Sequence, residues 1–391
     1  MTSTTHSPIN EPMTSTSVGR RLPILAVEQR AALDPALLDI VEYRKSGLSL
    51  NWIVGCPLDC GYCVRHLFAN FDMKVPRALV DDRAAFGLLV NHRFFQPGVT
   101  PIQLLNRATD PMLPLVKPRT FAMLRMLDAA GLRNHVLVIT RWRVDETDCA
   151  ELNELRNLRV TLLVTHSGID DARIEPVDST IAATSLRTAF AHADRYRVVL
   201  YWRPIVPGLN DSDAHLDHAM GLRAHAHATV FTGLFYRDRI RDYYREHGLP
   251  EPYQDTARRK VFPEHLESRI LAAAAATAGS PLFRKTSCAV AYAHAMPDYN
   301  GHVGIPELCD ICPAAQLTRC TLARTDPTSE QVTVAHHAAV EHRVLGAHLP
   351  GWAPPLMLDT NLDWAALTTA GGLPGASNPD TPGAKQQGGL W

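Results

Sequence analysis

Between residues 48 and 235, apolar runs of strand length alternate with amphipathic stretches of helix length, and this alternation constrains the fold more than any other feature. The strand candidates are 48–53, 101–106 (PIQLLN), 135–140 (HVLVIT), 159–164 (RVTLLV), 197–202 (RVVLYW) and 228–233 (ATVFTG). Helical patterns fall between them near 77–93, 118–130, 144–156, 179–194 and 212–226. In KPRTFAMLRMLDAAGL the apolar residues recur at i, i+3 and i+4 and the run closes at Gly131, as in a helix lying on a sheet. Six such units predict a parallel sheet with helices outside, either curved into a partial (β/α)6 barrel or doubly wound. Beyond 237 the pattern changes to helices without strands.

The remaining organisation follows from composition. Residues 1–20 are Ser/Thr-rich with few large apolar side chains and are expected to be a disordered tail. An adaptor segment with one short helix is expected over 21–47, the α/β core over 48–237 and a helical C-terminal domain over 238–345. Residues 346–391 are expected to be mostly irregular, the stretch from 371 being Gly/Pro-rich. Lysine plus arginine (39) nearly balance aspartate plus glutamate (40), which argues against a footprint for long nucleic acid. No secretory h-region or apolar run of transmembrane length occurs, so a cytoplasmic location and no membrane partner are expected. In a reducing compartment, the eight cysteines point to metal binding or catalysis more than to disulfides.

Three of those cysteines, Cys56, Cys60 and Cys63, stand at the spacing C-x3-C-x2-C in GCPLDCGYC, just after the first strand candidate. Three thiolates suit a 4Fe–4S cluster with one iron lacking a protein ligand. The alternatives are a zinc site whose fourth ligand His66 could supply, or three unrelated thiols. Four more cysteines, Cys288, Cys309, Cys312 and Cys320, are spaced C-x20-C-x2-C-x7-C and can bind zinc or a second iron–sulfur cluster. Nearby His294, Asp298, Tyr299, Asn300 and His302 could line a substrate side, although PDYNGH reads first as a plain turn. Cys149, in DETDCAELNEL, reads as a buried small hydrophobe. His336 and His337 lie on what reads as a solvated helix face.

Ligands of a parallel βα sheet meet the C-terminal ends of its strands. The residues just past those ends are Arg65 and His66, then Asn106, Arg107, Thr109 and Asp110, then Arg141 and Trp142. Thr165, His166 and Ser167 follow the fourth strand, Arg203 the fifth, and Tyr236 and Arg237 the sixth. Arg65, Arg107, Arg203 and Arg237 converging on one mouth would favour an anionic substrate; pairing with acids such as Glu175 and Asp238 is the plain alternative.

The segment KSGLSLNWIVGCPLDCGYC, with Tyr62 before the third cysteine, resembles the radical SAM enzymes. NRATDPMLP, VLVITR, IEPVDS and RPIVPGLND follow in the order found in the spore-photoproduct-lyase-like branch, over about residues 45–237. The resemblance implies that Cys56, Cys60 and Cys63 hold a 4Fe–4S cluster. S-adenosylmethionine would fill its open corner, and reductive cleavage would give a 5′-deoxyadenosyl radical that abstracts hydrogen from substrate. It further implies that Thr109 and Asp110 meet the cofactor's amino group, Arg141 its carboxylate and Ser167 a polar contact nearby. Tyr62, Asn106 and Arg203 complete the expected cofactor pocket. An electron donor such as flavodoxin or ferredoxin is expected, as is a second 4Fe–4S cluster on the C-terminal cysteines, with zinc the alternative. The substrate is expected to be an anionic, nucleotide-like small molecule or a peptide. One departure stands out: the lyases carry Cys-x-x-Asp where this chain reads Arg107-Ala108-Thr109-Asp110, and arginine cannot donate a hydrogen atom. That departure lowers the expectation of nucleic-acid repair. A structural zinc-binding interaction protein is the non-enzymatic alternative.

Overall fold

In this computed structural model the described residues are 22–44, 46–257, 260 and 262–323, so both expected tails, His336 and His337 lie outside them. Two short helices, α1 (Val27–Ala31) and α2 (Pro35–Leu38), precede the hairpin β1 (Val41–Arg44) and β2 (Gly47–Leu50). The short pair β3 (Ile53–Val54) and β4 (Arg77–Ala78) follows, then α3 (Asp82–Val90) and β5 (Ile102–Leu104). Next come α4 (Lys117–Ala129), β6 (His135–Thr140), α5 (Glu146–Glu154), β7 (Arg159–His166), α6 (Ser179–Ala191), β8 (Arg197–Ile205), α7 (Asp213–Leu222) and β9 (Ala228–Gly233). The C-terminal part holds α8 (Asp238–Glu246), α9 (Glu264–Ala276), β10 (Leu282–Phe283), α10 (Thr286–Ala293), α11 (Pro306–Cys309) and α12 (Ala314–Ala323).

Eight strands form one sheet in the order β1-β2-β5-β6-β7-β8-β9-β10. Only the β1–β2 pair is antiparallel; every other neighbour pairs in parallel. β6 and β9 are buried at every position, their polar residues His135, Thr140, Thr229 and Thr232 included, as in a parallel strand covered on both faces. The strand-to-helix loops end in side chains that cap the helix: Asp81, Asp145, Asp178 and Ser212 each accept from a backbone N–H of the first turn of α3, α5, α6 and α7.

Side-chain alternation gives the sheet two different faces. Leu50, Leu104, Val138, Leu162, Leu200 and Phe231 pack with the residues of α3 to α7 and α9. Leu137, Ile139, Leu163, Val199, Tyr201 and Val230 point the other way and meet Ala289, Val290 and Tyr299 from α10 and the segment after it. The C-terminal part therefore fills the inner face of the sheet. It reaches the far edge as well: Asn300 Nδ2 donates to Ser46 Oγ in the β1–β2 turn at 2.9 Å.

Three expectations are corrected. The strand expected at 48–53 ends at Leu50 because Asn51 donates to Ser49 Oγ at 2.7 Å and Trp52 to Asp82 at 2.8 Å, turning the chain off the sheet. The adaptor has two helices and adds a strand to the sheet edge. Beyond 237 a strand does occur, β10, two residues long and so too short to show a period.

Candidate active site

The cysteine loop follows β3 and is held from several sides. Gly55 N–H donates to Ala108 O, Cys56 N–H to Met73 O at 2.8 Å and Gly61 N–H to Ile174 O at 2.8 Å. Gly55 has φ +94°, and a Cβ there would stand 2.5 Å from the Val75 carbonyl, so only glycine fits this turn. The buried Arg65 guanidinium donates to the carbonyls of Cys56 at 2.8 Å and Phe71. This places Cys56, Cys60 and Cys63 around a single cavity at the C-terminal ends of the strands. Its other walls include Tyr62, Arg65, Asn106, Thr109, Arg141 and Arg203. Burial pushes the Cys56 and Cys60 thiols up, opposed by the charge of Arg65 at the first and of Arg141 at the second.

The remaining sequence-selected residues divide by their partners. Arg141 pairs with Glu175 at 2.9 Å, and its guanidinium carbon lies 5.0 Å from the centre of the Tyr62 ring. The Tyr62 hydroxyl donates to Glu175, as does Ser167 Oγ at 2.9 Å. Burial works against the Arg141 charge, but Cys60, Tyr62 and Glu175 hold its pKa above the ordinary arginine value. Ser167 is thus brought to Glu175; it is not among the residues lining the cavity. Asn106 accepts from Ser49 Oγ at 2.6 Å and donates to Gln103, a polar chain along the inner face. Asp110 accepts from Met112 N, Thr140 Oγ1 and Arg141 N at 2.9, 2.6 and 2.9 Å, tying the end of β5 to the end of β6. Burial raises its pKa against those hydrogen bonds. Thr109 differs: its Oγ1 is buried and has no hydrogen-bond partner among the described residues.

Three of the four leftover arginines, Arg65, Arg107 and Arg203, do reach one cavity, and Arg237 does not line it. Arg107 is buried in an ion pair with Glu42 at 2.7 Å and donates to the Asp39 carbonyl at 2.9 Å. Arg65 serves the cysteine loop as described, and Arg237 is the N-cap residue of α8 without a side-chain cap, its guanidinium carbon 5.5 Å from the Phe235 ring centre. Of the four, Arg65, Arg107 and Arg203 line the cavity, and Arg203 lies 3.9 Å from the Tyr201 ring centre. Tyr236 is buried with its hydroxyl facing Glu251. His66 stacks on Phe71 with ring centres 3.7 Å apart, and burial lowers its pKa to about 4.

The second cysteine group lies against the inner face of the sheet. Cys288, Asp298 and His302 bring one ligand atom each within 4.8 Å of one another. His302 Nδ1 is 2.9 Å from Asp298 Oδ2 and 3.7 Å from Cys288 Sγ. The charges of Cys309, Cys312 and Cys320 all act on Cys288, and Cys320 Sγ accepts from Asp298 N at 3.2 Å. The PDYNGH turn is a turn and is also buried against this group, which its composition did not signal. His294 sits apart, hydrogen-bonded to Thr161 at 2.9 Å. Cys149 is fully buried in α5, as expected. Sequence reasoning missed Lys260, a cavity-lining residue in a stretch without periodicity, and saw Glu175 only as a possible ion-pair partner although it lies in IEPVDS.

No helix among the described residues is long and apolar enough to cross a membrane. No family model matches the chain, and no curated protein matches it. Among solved structures the chain is similar to Streptococcus suis SuiB bound to S-adenosylmethionine, at 8% identity and a TM-score of 0.36 over 51% of this chain and 46% of that one. It is similar to a spore photoproduct lyase variant with bound AdoMet and dinucleoside spore photoproduct, at 12% identity and a TM-score of 0.45 over 66% and 83%. Spore photoproduct lyase complexed with dinucleoside spore photoproduct is a further similar structure, at 12% identity and a TM-score of 0.42 over 59% of this chain and 72% of that one.

Proposed function

We propose that the chain is a radical SAM enzyme on a partial (β/α)6 barrel, acting on an anionic small molecule or a peptide. The observation that carries this reading is the meeting of Cys56, Cys60 and Cys63 around one cavity at the strand ends, beside a buried Arg65 that binds backbone carbonyls and, among the described residues, no carboxylate. Three thiolates concentrate negative charge, and a buried cation next to them favours the ionised ligands. When bound there, a 4Fe–4S cluster supplies the electron that cleaves S-adenosylmethionine.

The chain's own residues have separable parts. Arg65 and Gly55 fix the loop that presents the thiols. Thr109 offers an unpartnered hydroxyl toward a polar ligand group. Arg141, held by Glu175 and Tyr62, keeps a cation at the cavity wall for the cofactor carboxylate. Asp110 accepts from the Arg141 backbone N–H and so positions it, and any ammonium it meets would share its two oxygens with three hydrogen bonds already made.

The second cysteine group is read as an auxiliary 4Fe–4S site on Cys288, Cys309, Cys312 and Cys320. The close approach of Asp298 and His302 to Cys288 favours zinc as the second reading there, since zinc takes mixed sulfur, nitrogen and oxygen ligands. A donor such as flavodoxin or ferredoxin would supply electrons. Nucleic-acid repair gains no support, because Arg107 is locked to Glu42 at the position where a hydrogen donor would be needed.

The test is iron, sulfide and zinc content of anaerobically reconstituted protein, beside a Cys56/Cys60/Cys63 triple-alanine variant, with 5′-deoxyadenosine formation from S-adenosylmethionine under reduction. About four irons lost in the variant, together with all cleavage, supports the reading. Undiminished cleavage in the variant overturns it. Zinc retained without iron in both proteins moves the assignment to a structural metal protein.

A further inference from the structure

The inner face of the sheet changes character at β6. Glu42, Ser49, Gln103 and Leu137 are successive register partners across β1, β2, β5 and β6 and so share that face. On β6 to β9 its Leu137, Leu163, Val199 and Val230 are covered by Ala289, Val290 and Tyr299. On β1, β2 and β5 it is polar, and Glu42, Arg44, Ser49 and Gln103 are all buried there. Buried polar side chains need polar partners. Ser49 finds one in Asn106, just past β5.

The charged groups of this half are not balanced. Glu42 Oε2 lies 2.8 Å from Arg44 Nη2 and 2.7 Å from Arg107 Nε, so two arginines share one carboxylate. Arg44 is 1% and Arg107 3% exposed, which takes both cations out of water and leaves one positive charge over. Asp39 is exposed and offers its backbone carbonyl to Arg107 Nη2 at 2.9 Å; its carboxylate forms no ion pair with either arginine. Arg44 Nε and Nη1 are buried with no hydrogen-bond partner among the described residues. The Phe68 ring stands beside both groups, its centre 4.9 Å from the guanidinium carbon of Arg107 and 6.0 Å from that of Arg44. A buried cation without its own counter-charge is unfavourable unless an anion joins it.

Of the two arginines, Arg107 lines the cavity that the loop cysteines share. Its Nε faces Glu42 and its Nη2 the Asp39 carbonyl, which leaves Nη1 without a partner among the described residues. We infer that Arg107 recognises an oxyanion of the substrate, a carboxylate or a phosphate, through Nη1, and that the polar half of the inner face is the wall against which the substrate lies. This rests on the proposed function for the cofactor that takes the rest of the cavity. Glu42 and the Asp39 carbonyl hold the guanidinium in one orientation, so the ligand does not have to order it. The other source of an oxyanion is the carboxylate of S-adenosylmethionine. Arg141, paired with Glu175, stands at the end of β6 for that group, whereas Arg107 follows β5 and takes its partner from β1, so the geometry favours the substrate.

The test is calorimetric titration of the reconstituted full chain with inorganic phosphate and with succinate. Each titration is run with and without saturating S-adenosylmethionine, in the absence of reductant. The expected result is binding that is equally tight in both conditions, and the anion that binds more tightly identifies the group. Arg107→Met weakens it about tenfold, as the loss of one charge-assisted hydrogen bond requires. Arg237→Met removes a charge that does not line the cavity and leaves the affinity unchanged. No binding of either anion overturns the assignment, as does undiminished affinity in the Arg107→Met chain. Anion binding abolished by S-adenosylmethionine gives Arg107 to the cofactor and overturns it too. Should Arg107→Met fail to fold, Arg107→Lys keeps the buried charge and loses the fork; weaker binding is expected there, and unchanged affinity is the contrary result. Iron content and a direct titration with S-adenosylmethionine on the same samples separate the two ideas. Absent iron and no S-adenosylmethionine binding, with anion binding that still depends on Arg107, defeats the radical reading alone.

Discussion

The Arg65 guanidinium donates to the Cys56 carbonyl oxygen at 2.8 Å and, with a second arm, to that of Phe71, so one buried side chain closes both ends of the cysteine loop. Hydrogen bonds to a charged group contribute about 1.5–3 kcal/mol each. Arg65→Met should therefore lower unfolding stability by about 3 kcal/mol and reduce iron retained after reconstitution. Arg65→Lys should recover part of the stability, since lysine keeps the charge without the two-armed geometry. Denaturant melts and iron assays check both; full iron loading in the methionine variant would refute the role.

Gly55 and Gly131 both have positive φ, +94° and +70°, yet their surroundings differ. A Cβ at Gly55 meets the Val75 carbonyl at 2.5 Å, whereas at Gly131 nothing lies within 4 Å. Gly131→Ala should cost about 1 kcal/mol, the backbone penalty alone. Gly55→Ala should cost more than about 2 kcal/mol and displace Cys56. Equal stabilities of the two variants would show that the loop tolerates the shift.

Asn300 and Ser46 join the C-terminal segment to the first hairpin across the sheet at 2.9 Å. Asn300→Ala removes one buried hydrogen bond, a loss of about 1–2 kcal/mol. The second metal group should suffer first. Metal bound by Cys288 and its neighbours should exchange faster with a chelator, while the metal of the cysteine loop stays. Simultaneous release from both sites would contradict this.

His166 is 3% exposed, and burial lowers its pKa from 6.5 to about 4. The folded chain favours the neutral ring, so this contribution is complete above pH 6.5 and declines as pH falls toward 4. At about 1.4 kcal/mol per pKa unit, the loss amounts to up to about 3 kcal/mol. His166→Gln should flatten the stability profile between pH 6.5 and 4 relative to the unaltered chain, measured by denaturant titration at each pH. Superimposable profiles would assign the acid sensitivity elsewhere.

How much could be read in advance differs by element. β6 and β9 have the bounds that their sequence runs indicate, because a strand covered on both faces is buried from end to end and its β-branched residues mark its whole length. β2 was over-extended, because Asn51 and Trp52 leave the sheet through side-chain hydrogen bonds that no local pattern records. The cysteine loop and the residues past each strand were visible as spacing and position. Their partners were not: Glu42 reaches Arg107 across 65 positions and Glu175 reaches Arg141 across 34. Lys260 was invisible for the same reason, since only the fold brings it to the wall of the cavity that the cysteines line.

The filling of the inner face by residues after 280 has a consequence for how the chain is made. The strands carrying Leu137, Leu163, Val199 and Val230 leave the ribosome well before Ala289, Val290 and Tyr299 that cover them. At roughly 5–20 residues per second, the 69 positions between Val230 and Tyr299 take on the order of 3–14 seconds to synthesise. Through that interval the nascent sheet presents an apolar surface not yet covered by Ala289, Val290 and Tyr299. A ribosome stalled before codon 289 therefore releases a product with a sticky apolar surface, and chaperone occupancy during translation should peak in this window.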